Sequence, residues 1–406
     1  MRGKVKKYAI RSKKLAQRTI KHAVKACIGA ENSWRLQRMS FPLLHPAEYK
    51  LARKQYDVLF FCDLPYRWQS IELVVEELRH RHDDLRLGLA FTGSREDFPL
   101  NSFNLAGIST IPHVTIGALN LFDTRILYTT GLNAPPSMMP PKARVVHSLI
   151  SMLSLDGFFF DHGFDAHDYI LCGGDHHLES FRKLAIRRPA LSGKTLLPAG
   201  FPKLDLMLTL HSKRRPTDKS VRSTVVYAPT HSVALRDHGE NIVYALLAKG
   251  HRVIFRPHPL SLTGDRDVID RICLLHAGNP KFSLDASVDY TKSYSLADLM
   301  VTDLSGTGFT FSFSFSRPCI FFAPDAQTER GLSGIQYDAR HRIGALVRDI
   351  DEMIEKTSEL CNRDMAEEIE QFRDETVFNV GKSAAYIVDC LEEILSGRER
   401  PEWVRL

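Results

Sequence analysis

The chain has 406 residues, 44% of them hydrophobic and 25% charged, and a formal net charge of +6. This composition excludes a mostly disordered chain, a collagen and a long coiled coil, and the length predicts two domains because single cores rarely exceed about 250–300 residues. Residues 1–30 hold ten Lys and Arg and no Asp or Glu, so residues 31–406 carry a net charge of −4, which argues against nucleic acid as a partner.

The N-terminal arm, residues 1–40, is predicted to begin with a basic amphipathic helix. Lys and Arg recur every three or four residues over 1–28, beside a loose apolar stripe. Such a helix lies well on an anionic membrane surface, where each basic residue contributes about 1 kcal/mol at most. The pattern leaves open a solvated helix packed on the body, a frayed basic tail and an organelle transit peptide.

A membrane-spanning segment is not expected. No apolar run approaches the roughly 18–20 uncharged residues that cross a bilayer, and the best candidate, 307–322, contains Arg317 and Pro318. No secretory signal follows the N-terminal charges. The seven cysteines form no CxxC pair, so the sequence predicts a reduced, cytoplasmic compartment rather than a disulfide framework.

The predicted first domain, 41–212, alternates short apolar runs with amphipathic helices. A helix is predicted over 69–82, and the segment 195–210 closes this half. The predicted strands lie within 56–65, 85–91, 113–119, 124–130, 143–152 and 167–174. Strands that alternate with helices are typical of a parallel sheet covered on both faces. The charged segment 213–222 is predicted as a linker.

The predicted second domain, 223–385, repeats this alternation before a C-terminal helix and tail at 386–406. Strands are predicted within 223–230 and 252–259, a helix over 241–251, helix, strand, turn, helix and strand within 292–325, and a long amphipathic helical region over 365–396. Two such units predict an α/β protein with two Rossmann-like domains that face a cleft. Ligands of such sheets bind beyond the carboxyl ends of the strands.

One turn of the second domain suits a phosphate. In VTDLSGTGFTF, a strand ends at Thr302 and Asp303, and Ser305, Gly306 and Thr307 then lead into a predicted helix. Small residues let a ligand approach the backbone, and free N–H groups at a helix N-terminus bind anions. The ordinary alternative is a turn with an N-cap serine.

Two further strand ends of this domain strengthen the phosphate hypothesis. The RPHP segment places Arg256 and His258 at one strand end, and YAPT places Thr230 at another. Arginine and histidine both donate to phosphate oxygens. Three convergent polar loops therefore favour a pyrophosphate site.

The series YAPT, RPHP, ADLMVTDLSGTGF and RPCIFF resembles the CDP-glycerol glycerophosphotransferase family, the transferases of bacterial teichoic acid and capsule polymers. GFPKLDLML at 200–208 is similar to the Gly-x-Pro-x-x-Asp segment of that family, and the resemblance covers roughly 140–325. It implies a two-domain GT-B fold. It also implies transfer of glycerol phosphate or a similar polyol phosphate from a CDP-linked donor to a hydroxyl of a membrane-linked polymer or its primer. The expected location is the inner face of the bacterial cell membrane.

Several positions depart from the family pattern. The family's Tyr after Thr-Asp is Leu304, its second Ser is Gly306, and its Phe-Asp-Phe is 309–311, Phe-Thr-Phe. The usual aromatic residue and Arg after YAPT are replaced at 231–232, and the Trp-His-Gly loop keeps only its histidine, His147. The nucleotide base and the transferred group therefore stay open. A GT-B glycosyltransferase that uses a nucleotide sugar, and an inactive scaffold of the same fold, are the alternatives.

The resemblance implies catalytic roles for His147 and His258. His147 would be the general base for the acceptor hydroxyl, because a neutral imidazole accepts protons near physiological pH. The predicted donor phosphate-binding residues are Arg256, Thr230, Thr302, Asp303, Ser305, Gly306 and Thr307. No cofactor and no metal site is predicted, because the stretch 161–180, although dense in His and Asp, lacks a fixed metal-binding spacing such as HExxH.

Overall fold

The chain is described by a computed structural model. The structure describes residues 31–98, 100, 103, 105–131, 134–155, 163–211, 223–230, 233–324 and 333–406. Most of the predicted arm, the predicted linker 213–222 and the two departures at 231–232 lie outside the described residues. Among the helices described, none combines the length and the apolar character needed to cross a bilayer.

The described residues form an α/β fold. The strands are β1 Gln55–Cys62, β2 Leu87–Phe91, β3 Ile108–Ile111, β4 Asp123–Thr129, β5 Arg144–Ser148, β6 Tyr169–Cys172, β7 Thr195–Pro198, β8 Thr224–Tyr227, β9 Arg252–Phe255, β10 Phe282–Leu284, β11 Leu299–Thr302, β12 Cys319–Phe322, β13 Gly344–Val347 and β14 Val404–Arg405. The helices are α1 over 31–44, α2 Pro46–Ala52, α3 Glu72–Arg81, α4 Asp175–Arg187, α5 Pro202–His211, α6 Val233–Ala248, α7 Ser261–Gly264, α8 Arg266–Leu275, α9 Thr291–Leu296, α10 Gly306–Phe315, α11 Ile335–Asp338, α12 Ile350–Asn362, α13 Ala366–Thr376 and α14 Ser383–Ser396.

These strands form two sheets. The first has the order β14-β7-β6-β5-β4-β1-β2-β3 and is parallel except for β14, which pairs antiparallel with β7. The second has the order β10-β9-β8-β11-β12-β13 and is parallel throughout. The predicted mixed α/β class with parallel sheets is confirmed. Central strands such as β1 and β11 are almost wholly buried, as expected for sheets covered on both faces.

One predicted strand is wrong, and one predicted helical region is interrupted. Residues 113–119 were expected to form a strand, but 116–121 form a 3-10 helix and the strand β3 lies earlier. His113 has φ +63°, a left-handed conformation that a continuous strand does not admit. The helical region predicted over 365–396 is divided into α13 and α14, because Asn379 and Gly381 between them also have positive φ.

The family's Gly-x-Pro-x-x-Asp segment joins α5 to the start of α14. Gly200 has φ +90°, and a Cβ there would lie 2.3 Å from the Phe378 carbonyl oxygen, so a side chain does not fit. The buried Asp205 carboxylate accepts the backbone N–H groups of Gly381 and Ser383, each at 2.7 Å. The segment therefore has a structural role that the sequence pattern alone does not reveal.

Helix α14 carries the chain back to the first sheet. Its buried Ile387 and Leu391 share a hydrophobic core with Val58 of β1 and Val74 of α3. Conversely, α5 precedes the second sheet in the chain, and its Met207 belongs to the hydrophobic core around that sheet. Hydrophobic packing of α14 on the first sheet and of α5 on the second sheet thus joins the two halves. The predicted boundary between 385 and 386 falls inside α14.

Candidate functional site

The carboxyl ends of β8 and β11 bring two predicted site residues together. These strands are paired, with Tyr227 opposite Val301, so the loops that follow them are neighbours. The Asp303 carboxylate accepts the backbone N–H of Thr230 at 3.0 Å and its hydroxyl at 2.6 Å. Asp303 is buried, whereas Thr230 is half-buried. The carboxylate therefore positions the Thr230 loop, and the role of Asp303 at a phosphate stays a prediction.

The turn that enters α10 is an N-cap serine turn, as in the ordinary alternative, and its role as an anion site stays a prediction. Ser305 is the N-cap, and its hydroxyl accepts the N–H of Thr307 at 3.2 Å. The Thr307 hydroxyl is 2.6 Å from the hydroxyl of Tyr294. The turn 304–307 is half-buried, while the rest of the helix is buried on all sides by its phenylalanines. The positive end of the α10 dipole is thus held rigidly at a point that a ligand can reach.

Two predicted phosphate-binding residues have other partners in the structure. The Thr302 side chain is fully buried, and its hydroxyl donates to the Ala228 carbonyl oxygen at 2.6 Å. The Arg256 side chain is 8% exposed and forms an ion pair of 2.5 Å with Asp285, as well as a hydrogen bond of 2.9 Å to the Ser287 carbonyl oxygen. Both residues therefore hold the loops of the second sheet together, and their contact with phosphate stays a prediction.

His258 lies in the loop between β9 and α7 and is half-buried. Its Nδ1 accepts the backbone N–H of Leu260 at 3.2 Å. A neutral imidazole that accepts through Nδ1 carries its proton on Nε2 and can donate it there. The neighbouring Pro257 and Pro259 restrict the backbone on both sides. This geometry suits a donor to a phosphate oxygen, which remains the predicted role.

His147 lies at the end of β5 but is only 1% exposed. Its ring makes edge-to-face contacts with His167 and Phe164, at centroid distances of 4.7 and 5.3 Å. Burial, and then the charges of His167 and Arg67, hold its pKa well below the ordinary value, so the imidazole is neutral at physiological pH. Its Nδ1 has no hydrogen-bond partner among the described residues. The general-base role stays a prediction, and it requires a movement that lets a hydroxyl reach this ring.

The described part of the histidine-rich stretch 161–180 holds loops in place. His167 Nε2 lies 3.1 Å from the Gly131 carbonyl oxygen, and burial lowers the pKa of His167 to about 4. His177 accepts the Gly173 N–H through Nδ1 and contacts the Leu153 carbonyl oxygen through Nε2. Both rings are therefore neutral and bonded to the backbone. Asp161 lies outside the described residues.

Lys203 of α5 is a residue that the sequence analysis missed. Its ammonium lies 4.7 Å from the centroid of the Tyr290 ring, and the Arg256 guanidinium lies 5.5 Å from the same centroid. Burial, and then the charge of Arg256, lower the pKa of Lys203 to about 8. No described residue forms a hydrogen bond or ion pair with this ammonium. A cation without a counterion, next to a second cation, indicates an anion-binding position.

The loop that follows β5 contacts the first turn of α10. A Cβ on Gly306 would lie 2.5 Å from the Ser151 hydroxyl and 3.2 Å from Leu153, so a larger residue fits only if these side chains or their loop move. The Gly306 backbone is thus in close contact with the Ser151 and Leu153 side chains. This contact brings the loop after His147 against the predicted phosphate turn.

Three hydrogen bonds join the same loop to α11. The Ser154 N–H donates to Gln336 Oε1 at 2.9 Å, the Ser154 hydroxyl accepts the Ile335 N–H at 3.1 Å, and Gln336 Nε2 donates to the Ser154 carbonyl oxygen at 3.3 Å. A cavity of about 510 Å³ opens beside this junction. Its lining includes Ser154, His176, Lys183, Gly334, Asp338 and Thr376. Residues of both halves thus line this cavity, whose described lining does not include the predicted phosphate turn 304–307.

Solved structures show where this fold occurs. A variant of the wall teichoic acid polymerase TagF soaked with CDPG has a TM-score of 0.60 at 15% identity, over 94% of this chain and 97% of that chain. UDP-GlcNAc 2-epimerase from Neisseria meningitidis bound to UDP-GlcNAc has a TM-score of 0.54 at 12% identity, over 83% of this chain and 99% of that chain. At these identities the likeness shows a shared fold.

Sequence comparison identifies the family. The chain is 29% identical over 219 residues to the teichoic acid poly(glycerol phosphate) polymerase of Bacillus subtilis (strain 168). The aligned segment covers 48% of this chain and 27% of that protein. The match thus spans about a quarter of the length of this relative. The family model described as CDP-Glycerol:Poly(glycerophosphate) glycerophosphotransferase matches residues 161–393, which is more than half of the chain and includes the whole second sheet. The expected resemblance is confirmed, and the chain belongs to the CDP-glycerol:poly(glycerophosphate) glycerophosphotransferase family.

Proposed function

We propose that the protein transfers a polyol phosphate, glycerol phosphate or a similar group, from a CDP-linked donor to a hydroxyl of a membrane-linked cell-surface polymer or its primer. The observation that carries this proposal is the family match, because it includes the loops at Thr230, 256–258 and 303–307 that form the predicted donor site. The TagF structure soaked with CDPG, which shares this fold, supports the same donor class.

The donor diphosphate would lie between the two sheets, in a cleft of the GT-B kind. The first turn of α10, the Thr307 hydroxyl and His258 would contact its oxygens, and Lys203 would supply the charge. Negative charge grows on the departing CMP as the pyrophosphate bond breaks, and donors already in position stabilise that charge most effectively. Asp303 would keep the Thr230 loop in place beside them.

The transfer step exchanges one phosphorus–oxygen bond for another. The acceptor hydroxyl oxygen attacks the phosphorus that bears the polyol, CMP leaves with the electron pair of the broken bond, and the hydroxyl proton passes to His147. Because the pKa of His147 is low, proton transfer would follow bond formation, when the attacking oxygen has become much more acidic. The contact of the loop after β5 with α10 would keep acceptor and donor close together.

Replacement of His258 tests the catalytic assignment. We expect His258→Ala to abolish glycerol phosphate transfer while far-UV circular dichroism and the melting temperature stay unchanged. His341→Ala, at an exposed position, is the matched control and should retain full activity. Near-normal transfer by His258→Ala would show that the assignment is wrong.

A thermal-shift panel tests the donor class. The panel contains CDP-glycerol, CDP-ribitol, CDP, UDP-sugars, GDP-sugars and CMP-sugars. A ligand at about 100 times its Kd should stabilise the protein by about 2.7 kcal/mol, which gives a visible shift. We expect a response to the CDP compounds alone. A response to another nucleotide would favour a glycosyltransferase, and a response to none, even with acceptor and vesicles present, would favour an inactive scaffold.

We further propose that residues 1–28 hold the protein on the anionic inner face of the cell membrane, where its acceptor is. The ten basic residues support this location, as does α1, whose Leu36, Met39 and Leu43 are 52%, 70% and 82% exposed at helical spacing. Deletion of 2–28 should release the protein from vesicles of anionic lipid in a co-sedimentation assay. Unchanged binding would remove the arm from the proposal.

A further inference from the structure

Two histidines and a glutamate from separate segments meet beside β3, an edge strand of the first sheet. His45 lies between α1 and α2, Glu48 lies one turn later on α2, and His113 follows β3. One ring nitrogen of each histidine and a carboxylate oxygen of Glu48 all lie within 4.8 Å of one another. All three side chains are half-buried, so solvent and ions can reach them.

The contacts within the described part of the protein do not use these three polar groups. None of them forms a hydrogen bond or an ion pair with a described residue. The rings of His45 and His113 are stacked, with a centroid distance of 4.6 Å and an angle of 14°, and Phe41 packs against His45 at 5.7 Å. Ring stacking explains where the imidazoles lie, but it leaves their nitrogens and the carboxylate without partners.

Both histidine backbones are held in place. The His113 N–H donates to the Gly93 carbonyl oxygen at 2.8 Å, in the left-handed conformation described above. The His45 N–H donates to the Phe41 carbonyl oxygen at 2.9 Å, and the His45 carbonyl oxygen accepts the Tyr49 N–H at 2.9 Å. The separation of the two histidine backbones is therefore set by the fold, and only side-chain rotation is needed to bring the ligand atoms closer together.

We propose that His45, Glu48 and His113 bind a divalent transition-metal ion, with Zn²⁺ as the best fit. Two imidazoles and one carboxylate favour zinc over magnesium or calcium, which prefer oxygen ligands. Bonds of about 2.0–2.2 Å in a tetrahedron place ligand atoms about 3.4 Å apart, so the side chains need to close by little more than about 1 Å. The fourth position belongs to water, as in other three-ligand zinc sites.

The ion would connect α2 to the loop after β3. It would thereby fix the helices α1 and α2, which follow the basic residues 1–28, to the edge of the first sheet. This site shares no residue with the proposed donor site, so it is independent of the proposed function. Binding energy at such a site adds to folding stability because the unfolded chain does not hold the three ligands together.

The test uses full-length protein stripped with EDTA and titrated with ZnCl₂. We expect calorimetry to show one equivalent bound at this site and the melting temperature to rise. Co²⁺ in place of Zn²⁺ should give the visible absorption of a tetrahedral site. His113→Asn and His45→Asn should each weaken this binding at least about tenfold, since each removes one of three ligands.

The variants are chosen so that loss of binding is not confused with loss of fold. Asparagine tolerates the left-handed backbone of residue 113 and is a good N-cap at residue 45. The melting temperature of each metal-free variant should therefore match that of metal-free wild type. His80→Asn, at an exposed position, should bind as wild type does. Absence of micromolar zinc binding in wild type, or unchanged binding in both site variants, would overturn the proposal.

Discussion

Lys203 is a proposed contact of the donor diphosphate that no sequence motif marks. It shares the Tyr290 ring with Arg256, yet Arg256 has Asp285 as its counterion and Lys203 has no such partner among the described residues. A bound diphosphate would supply the missing negative charge. The residue lies beside Pro202 in a segment whose other members have structural roles, so its position in the sequence did not single it out.

Replacement of Lys203 should therefore affect donor binding and not the fold. We expect Lys203→Met to raise the KM for CDP-glycerol by about tenfold or more, because a charge-assisted contact contributes roughly 1.5–3 kcal/mol. Lys203→Arg should keep most of the affinity. Lys292→Met, at an exposed position on α9, is the control. An unchanged KM for Lys203→Met, measured in steady-state assays, would contradict this role.

The lowered pKa of Lys203 gives a pH prediction. Only the ammonium form attracts the diphosphate, and the free protein loses that proton as the pH rises through about 8. Donor affinity, measured by calorimetry, should therefore decline above pH 8 in wild type and stay level in Lys203→Arg. Between the folded pKa of about 8 and the ordinary 10.5, the unfolded state binds more protons, so the free energy of unfolding of the ligand-free protein should rise with pH, relative to Lys203→Met.

His147 illustrates what a resemblance supplies and what it omits. The family pattern singled out this histidine, and the structure places it at the end of β5 as expected. Its burial beneath Phe164 was not predictable, because the contact depends on a residue from another segment. A sequence pattern locates a side chain along the chain but does not show which residues cover it.

At the scale of elements, the turn from β11 into α10 depends on one glycine. A Cβ at residue 306 would overlap the Ser151 hydroxyl, so Gly306→Ala should displace the loop after β5 and raise the KM for the donor. Ser151→Ala removes that hydroxyl and should restore part of the affinity in the double variant. Gly264→Ala, which meets open space, is the control. Equal KM values for the single and double variants would show that this contact does not set the geometry of the turn.

The start of α14 depends on Asp205. Its carboxylate binds two buried backbone N–H groups, and Asp205→Ala would leave both without an acceptor. We expect the free energy of unfolding, measured by urea denaturation, to fall by about 2–4 kcal/mol. Asp270→Ala, which removes an exposed carboxylate of α8, should cost far less. A similar small loss for both variants would contradict the structural role of the Gly-x-Pro-x-x-Asp segment.

The sequence predicted the positions of the strands better than the directions of their side chains. The apolar runs that predicted β1, β8, β9 and β11 coincide with those strands, because strands buried on both faces are continuously hydrophobic. The same continuity removes the alternation that would show which way Thr302 points. The partner of Arg256 was equally hidden, since Asp285 follows a different strand and becomes its neighbour only in the sheet.

At the scale of the whole molecule, the link between Ser154 and Gln336 joins the loop after β5 to α11. Gln336→Ala would leave the Ser154 N–H and carbonyl oxygen unpaired in a buried place, at a cost of about 1–3 kcal/mol for each group. We expect faster hydrogen exchange at residues 154–155 and 335–336 and a higher KM for the donor. Gln371→Ala, at an exposed position of α13, is the control. Unchanged exchange at these amides would show that the link does not restrain the two halves.

The return of the chain to the first sheet has a consequence for synthesis on the ribosome. Every strand of the second sheet lies between Thr224 and Val347, whereas the first sheet needs α14 as part of its cover and β14 as its last strand. A nascent chain that has emerged from the ribosome as far as residue 347 thus contains all the strands of the second sheet. At that stage the first sheet still exposes the apolar surface that Ile387 and Leu391 will bury. The half that is translated first is therefore the half that is completed last.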